Sequence, residues 1–362
     1  MGKFLLIVCL LLFNLIGKSQ EAISFSYNYG NIAIHTPLIE PLIDGPVYGF
    51  SLNYAFSAKN GAEWRKLYNF PDYGINYNYK NYNNPRHLGS SHSVTGFFQM
   101  PFFRISHYFD FGFQGLAGVG IFTNKYDEQY NPINKAISST VNISAETRLY
   151  SKISFHPVFL EYSFGLNHFS NGLIKAPNLG INVFNNSFSI GYYLENEASH
   201  NSNIKPPKEK NENFEFWMVS SFGIKELDYD PKKYLYSGLT VNMVKYLCPI
   251  NKSGIGIDMF NDPTLIKYAS QYYYYTGSPG FNFRYGINLN SEFLFNRVGF
   301  FGGYGIYLKN SEFYSSRLFY KAGFKYYYKD FIGMVLIRAS PLFRADVVEF
   351  GIGYRMTTYK KR

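Results

Sequence analysis

Ten consecutive residues, Phe281-Asn282-Phe283-Arg284-Tyr285-Gly286-Ile287-Asn288-Leu289-Asn290, alternate apolar and polar without a fault. Successive side chains of a strand point to opposite faces, so only extended chain sorts such a run into one apolar and one polar surface. The same alternation covers Tyr48 to Ser57, where Phe50, Leu52, Tyr54 and Phe56 oppose Gly49, Ser51 and Asn53. Val141, Ile143 and Ala145 oppose Asn142, Ser144 and Glu146. Near the end of the chain, Val348, Phe350, Ile352, Tyr354 and Met356 oppose Glu349, Gly351, Gly353 and Arg355. Similar runs lie around residues 183–194, 214–225, 238–247, 299–308 and 318–329. The chain reads as all-β.

A soluble sandwich alternates as well, and three features favour a membrane barrel over it. The runs reach about ten residues or more, enough to cross a bilayer at a tilt and longer than common soluble strands. Connections alternate in length: 123–136, 171–181 and 261–280 are long, whereas 151–154 and 296–297 are short. Aromatic clusters such as Tyr326-Tyr327-Tyr328 and Tyr272 to Tyr275 sit at run ends, as interfacial girdles do. With 36 Phe and 35 Tyr the chain is 20% aromatic, which excludes a disordered class. The one long uncharged apolar stretch, Phe4 to Gly17, is too short for a spanning helix.

That stretch instead reads as the apolar core of a signal peptide over residues 1–20. It follows the basic start Met1-Gly2-Lys3 and precedes small or polar Gly17, Ser19 and Gln20. Its removal takes Lys3, Lys18 and Cys9 and no acid, lowering the net charge from +10 to +8. Cys248 then stands alone, so no internal disulfide forms. The expected location is the cell outer membrane, where positive charge suits phosphate-bearing lipid. No basic helix or stripe suits nucleic acid. No CxxC, HExxH or calcium-loop spacing occurs, so neither metal nor cofactor is expected.

Up to 16 candidate strands can be counted, two of them weak, near Ser24–Gly30 and Gly74–Tyr79. The expected fold is one antiparallel transmembrane β-barrel of about 14 strands (range about 12–16) with both termini periplasmic. Residues 196–213, with Lys205-Pro206-Pro207-Lys208-Glu209-Lys210, read as a long polar turn or as a linker between two smaller eight-stranded barrels. No repeat relates residues 21–195 to 214–362, which favours the single barrel. Glu146, Arg148, Glu161, Lys321 and Arg355 share the polar parity of their strands and are expected to line a satisfied interior. Ser91-His92 and His107 read as rim or loop residues. The glycines from Gly299 to Gly305 read as close packing or a bend within a strand.

One hairpin carries chemistry. Val158, Leu160, Tyr162, Phe164 and Leu166 form one face of its first strand, and His168 and Ser170 continue that parity. On the return, Asn182 shares the parity of Phe184, Phe188, Ile190 and Tyr192. Symmetric pairing about the loop sets Ser170 opposite Gly180 and His168 opposite Asn182, all facing lipid at one rim. A hydroxyl two residues from an imidazole on one face can surrender its proton to that base, and a third group can hold the ring in the useful tautomer. Polar groups on a lipid face are costly, so their presence asks for a role. The bland reading is a polar rim with an Asn-Gly loop.

His168-Phe169-Ser170-Asn171-Gly172, followed by Pro177-Asn178-Leu179-Gly180, resembles the outer-membrane lipid A deacylase family of PagL type, also called acyloxyacyl hydrolases. The resemblance covers roughly residues 21–195 and leaves 214–362 unexplained, because the family's type members are single eight-stranded barrels. It implies a membrane-facing triad that removes a 3-linked acyl chain from lipid A or lipopolysaccharide in the outer leaflet. His168 matches the base, Ser170 the nucleophile, and Asn171 and Asn178 the asparagines near the oxyanion site. The orienting acid falls at Asn182, where the family carries Glu and this chain carries an amide. An amide can orient imidazole but cannot stabilise imidazolium by charge. The expected function is a serine esterase acting on lipid A or a related glycolipid. The alternative is a non-catalytic barrel, a pore or surface scaffold, suggested by that amide and by the extra strands.

Overall fold

The computed structural model describes residues 20–57, 64–105, 108–194, 212–271, 280–309, 317–340 and 344–359. The expected signal peptide lies outside them except for Gln20, and so do residues 196–211, His107 and Tyr272 to Tyr275. Eight strands follow in order: β1 (Gln20–Ile32), β2 (Val47–Ser57), β3 (Asp72–Asn81), β4 (Ser90–Ile105), β5 (Phe109–Phe122), β6 (Val141–Phe155), β7 (Val158–Ser170) and β8 (Ile181–Tyr193). They close as one antiparallel barrel, with β8 returning to pair with β1 from Tyr193–Ala22 to Val183–Ile32. Eight more follow: β9 (Glu212–Leu227), β10 (Asp230–Cys248), β11 (Asn251–Asn261), β12 (Phe283–Phe295), β13 (Val298–Lys309), β14 (Leu318–Tyr328), β15 (Phe331–Ser340) and β16 (Arg344–Tyr359). These close separately through β16 and β9, in register at Phe350–Phe222.

The expectation of one barrel of about 14 strands is therefore corrected to two closed barrels of eight. Both weak candidates are full strands, β1 and β3. Strand counting leaves open where a ladder closes, because closure is a pairing between the first and last strands of a set. The run 151–154, expected as a short turn, belongs to β6, and the reversal comes at His156-Pro157. The turn expected at 296–297 does separate β12 from β13. By internal contacts the chain divides into two compact units: residues 1–124, 140–169 and 181–206, and residues 125–139, 170–180 and 207–362.

Each barrel inverts the arrangement of a soluble protein. Outward residues of the first are apolar and exposed, among them Phe25, Leu52, Ile75, Val94 and Phe188. Inward residues are polar and buried, among them Asn28, Ser51, Asn76, Gln114 and Ser187. An eight-stranded barrel is just wide enough for side chains to fill it. In the first barrel Lys152 Nζ meets Asp72 at 3.0 Å, Arg104 meets Asp110 at 2.7 Å and Arg148 meets Glu146 at 2.7 Å. Gln114 donates to Gln99, which donates to Glu161. The second barrel is denser in charge. Lys225 bridges Asp262 and Asp346, Arg338 meets Glu349 at 2.7 Å and Lys321 meets Asp258 at 3.1 Å. Below these, Trp217, Val219, Val244, Phe301 and Leu336 form an apolar plug, and Lys325 Nζ lies 3.6 Å from the Trp217 ring centroid. Pairing is what makes such burial of charge tolerable.

Glycines make room inside these walls. A Cβ on Gly305 would come within 2.3 Å of the Phe319 ring, and one on Gly191 within 2.0 Å of the Phe159 ring. The close-packing reading of the Gly299–Gly305 run thus holds at Gly305.

Candidate active site

The β7–β8 hairpin supplies most of the sequence-derived candidates. Along β7, Tyr162, Phe164 and Leu166 face out, whereas Ser163, Gly165 and Asn167 are buried inside. Phe169 also points inward, edge-on to Phe122 with ring centroids 5.2 Å apart. That anchor fixes the parity of the strand end, so His168 keeps the outward direction. Asn182 has the same parity on β8, between inward Ile181 and Val183, both fully buried.

The ladder pairs His168 with Asn182 and ends at Phe169–Ile181. His168 Nδ1 lies 2.7 Å from Asn182 Oδ1. An amide oxygen only accepts, so this contact puts the proton on Nδ1 and leaves Nε2 as the basic nitrogen. Because the ladder stops there, the expected pairing of Ser170 with Gly180 is not formed. Gly172 and Leu173, at φ +63° and +62°, and Gly180, at φ +76°, turn the chain instead. Consecutive left-handed residues are rare outside glycine, which is why Gly172 suits the first of them.

Ser170 is 2% exposed, and its hydroxyl has no hydrogen-bond partner among the described residues. A buried, unpaired hydroxyl costs about 1–3 kcal/mol, so its persistence points to a role rather than to stability.

The two asparagines divide their work. Asn171 is consumed by the loop: its backbone N–H donates to Asn178 Oδ1 at 3.1 Å, and its Nδ2 donates to Ser138 Oγ at 3.0 Å. Its Oδ1 accepts from the Lys175 backbone N–H at 3.3 Å, while Ser138 Oγ donates to the Lys175 carbonyl at 2.8 Å. Asn171 is thus a loop brace, with its backbone N–H, its Oδ1 and one of its two amide N–H groups all engaged. Asn178 is the reverse: its Oδ1 is used, and its Nδ2 is buried with no partner among the described residues. Of the two, Asn178 is the one whose amide nitrogen is wholly unengaged among the described residues.

Two residues of this neighbourhood were not singled out from sequence. Ser138 comes from the β5–β6 connection, 33 residues before Asn171. His35 follows β1, and its Nδ1 lies 3.2 Å from Asn182 Nδ2. Neither stands at a spacing that a motif would reveal. Only the closure of β1 on β8 brings His35 to the hairpin. His92, by contrast, is an exposed residue of β4 whose Nδ1 meets the Tyr77 hydroxyl at 2.8 Å. Among the described residues, no cluster of three or more His, Cys, Asp or Glu side chains is arranged to hold a metal ion.

Comparison with known proteins bears on both barrels. A family model described as lipid A 3-O-deacylase (PagL) matches residues 48–192. A second, described as acyloxyacyl hydrolase, C-terminal domain, matches residues 214–359, the portion the sequence resemblance left unexplained. No curated protein matches the chain. Among solved structures it is similar to the siderophore receptor PirA from Acinetobacter baumannii, at 8% identity and a TM-score of 0.24, over 89% of this chain and 43% of that one. It is also similar to CdiB from Acinetobacter baumannii, at 10% identity and a TM-score of 0.20, over 93% of this chain and 60% of that one. The chain thus spans less than two thirds of either protein, and at these scores neither carries an argument about its function.

Proposed function

Because the chain belongs to the lipid A 3-O-deacylase (PagL) family, we propose that it is an outer-membrane serine esterase removing an ester-linked acyl chain from lipid A. Ser170 Oγ attacks the acyl carbonyl carbon while His168 Nε2 takes the hydroxyl proton. Asn178 Nδ2–H donates to the oxyanion of the tetrahedral intermediate. As that intermediate collapses, the C–O bond to the sugar breaks and His168 returns the proton to the departing hydroxyl. Water, deprotonated by His168, then attacks the acyl-enzyme, freeing the fatty acid and restoring Ser170. Asn182 holds the ring throughout.

The observation that carries this reading is the 2.7 Å bond from His168 Nδ1 to Asn182 Oδ1, made on the outward face of a barrel, two residues along the chain from Ser170, whose buried hydroxyl has no partner among the described residues. The exposed apolar belt around that face suits a substrate held in lipid rather than one dissolved in water. The net charge of +8 that remains once residues 1–20 are removed suits phosphate-bearing lipid. The pore alternative is opposed by the interiors, which are filled with paired charges and, in the second barrel, with the apolar plug around Trp217. The test is direct: purified full-length protein in detergent is mixed with lipopolysaccharide, and the released fatty acid is measured. Release by the parent protein and none by Ser170→Ala supports the assignment. Equal release by both removes Ser170 as nucleophile.

A further inference from the structure

An amide in the place of an orienting acid creates a problem that a carboxylate does not have. Both oxygens of a carboxylate accept, so either can hold His168 Nδ1–H. An amide has one accepting end and one donating end, and a flip would present Nδ2–H₂ to the ring. The ring would then have to accept at Nδ1 and carry its proton on Nε2, where it could not act as base. In a Ser-His-Asp triad, exchanging the acid for its amide costs about 10⁴-fold for this reason. The site read above as a deacylase needs something that selects the flip.

The first barrel supplies it through its closure. The β1–β8 ladder runs one step past Ile32, with the Ala33 N–H donating to the Asn182 carbonyl at 2.8 Å. Asn182 is thereby flanked on both sides, by His168 of β7 and by the chain leaving β1. Two residues on, His35 Nδ1 stands 3.2 Å from Asn182 Nδ2. The same Nδ1 lies 3.3 Å from the Ala33 carbonyl, a contact it can make only when it carries a proton. As an acceptor it takes the Asn182 amide proton instead.

We infer that His35 is a positioning residue: by accepting from Asn182 Nδ2 it holds the amide with Oδ1 toward His168, and so selects the tautomer in which His168 Nε2 is the base. The inference rests on the deacylase reading for its consequence and on the His168–Asn182–His35 chain of contacts for its geometry. His35 touches no reacting atom. Its effect is confined to the fraction of molecules whose His168 is in the useful tautomer, so it enters kcat and leaves substrate binding alone.

The experiment uses the full-length protein with lipopolysaccharide as substrate. His35→Ala lowers kcat about five- to tenfold, the equivalent of one lost hydrogen bond, at an unchanged KM. His35→Asn puts an accepting oxygen two bonds from Cβ, where Nδ1 stands, and restores most of the loss. Made together with Asn182→Glu, whose carboxylate needs no flip selected, His35→Ala costs less than about twofold. An equal loss in both backgrounds, no loss in either, or no rescue by His35→Asn overturns the inference. Imidazole nitrogen NMR shifts of His168 read its tautomer without turnover. A proton on Nδ1 in the parent and a mixture in His35→Ala is the result expected, and the same tautomer in both overturns it. Should the parent release no fatty acid at all, the deacylase reading falls, and the NMR result still decides the role of His35.

Discussion

Replacing Asn182 by Glu tests the departure of this chain from the family pattern. On the proposed mechanism His168 becomes an imidazolium during acylation; its Nδ1 sits 2.7 Å from the Asn182 oxygen, so the charge centres of ring and carboxylate would lie about 4 Å apart. At that separation the attraction is about 1 kcal/mol in water and about 4 kcal/mol at the effective dielectric of a protein surface. Each 1.36 kcal/mol is tenfold in rate, and desolvating the carboxylate offsets part of the gain. The expected outcome is about a tenfold rise in kcat for Asn182→Glu, well short of about 10⁴, because the amide already holds the correct tautomer. Asn182→Leu removes the acceptor and lowers kcat at least about fivefold. Fatty-acid release from lipopolysaccharide in mixed micelles, at saturating substrate, measures both. Folding is checked by the heat-dependent gel shift of intact barrels. Unchanged rates in both folded variants would refute the role given to residue 182.

Asn178→Ala should lower kcat about 10²–10³-fold, the usual cost of removing one oxyanion donor, while KM moves little. Glu292 holds Lys325 at 2.8 Å and accepts from the Tyr327 hydroxyl at 2.5 Å inside the second barrel. Glu292→Gln takes from buried Lys325 its carboxylate partner and should destabilise that barrel by about 3–5 kcal/mol in urea unfolding. In planar bilayers the parent protein should give no steady conductance, because both barrels are filled, and a stable open channel would return the pore reading.

Much of this site was legible in the sequence, for a local reason. Alternation is written residue by residue, so the faces of β7 and β8 follow from Leu160, Tyr162 and Phe164 on one side and Phe184, Phe188 and Ile190 on the other. A hairpin with a symmetric ladder has one register, and the pairing of His168 with Asn182 follows from it. What was not legible is non-local. The closure of β1 on β8 joins residues some 160 positions apart, and no period marks it. That pairing decides two eight-stranded barrels over one larger one, and it alone carries His35 to Asn182. The two barrels need no sequence repeat between them, because any pair of alternating runs can share a ladder. The roles of Asn171 and Asn178 were inseparable in sequence for a related reason. Which amide is spent depends on Ser138, and Ser138 is set by the fold of the β5–β6 connection.

On the proposed reading, Ser170, activated by His168, cleaves an acyl ester of lipid A. Mass spectra of lipid A from cells making the full-length protein, compared with cells making Ser170→Ala at equal levels in the outer membrane, test it most directly. Cells with the parent protein should show a lipid A species lighter by one ester-linked acyl chain, absent with Ser170→Ala. Identical acylation in the two, with folded barrels present in both, would contradict it.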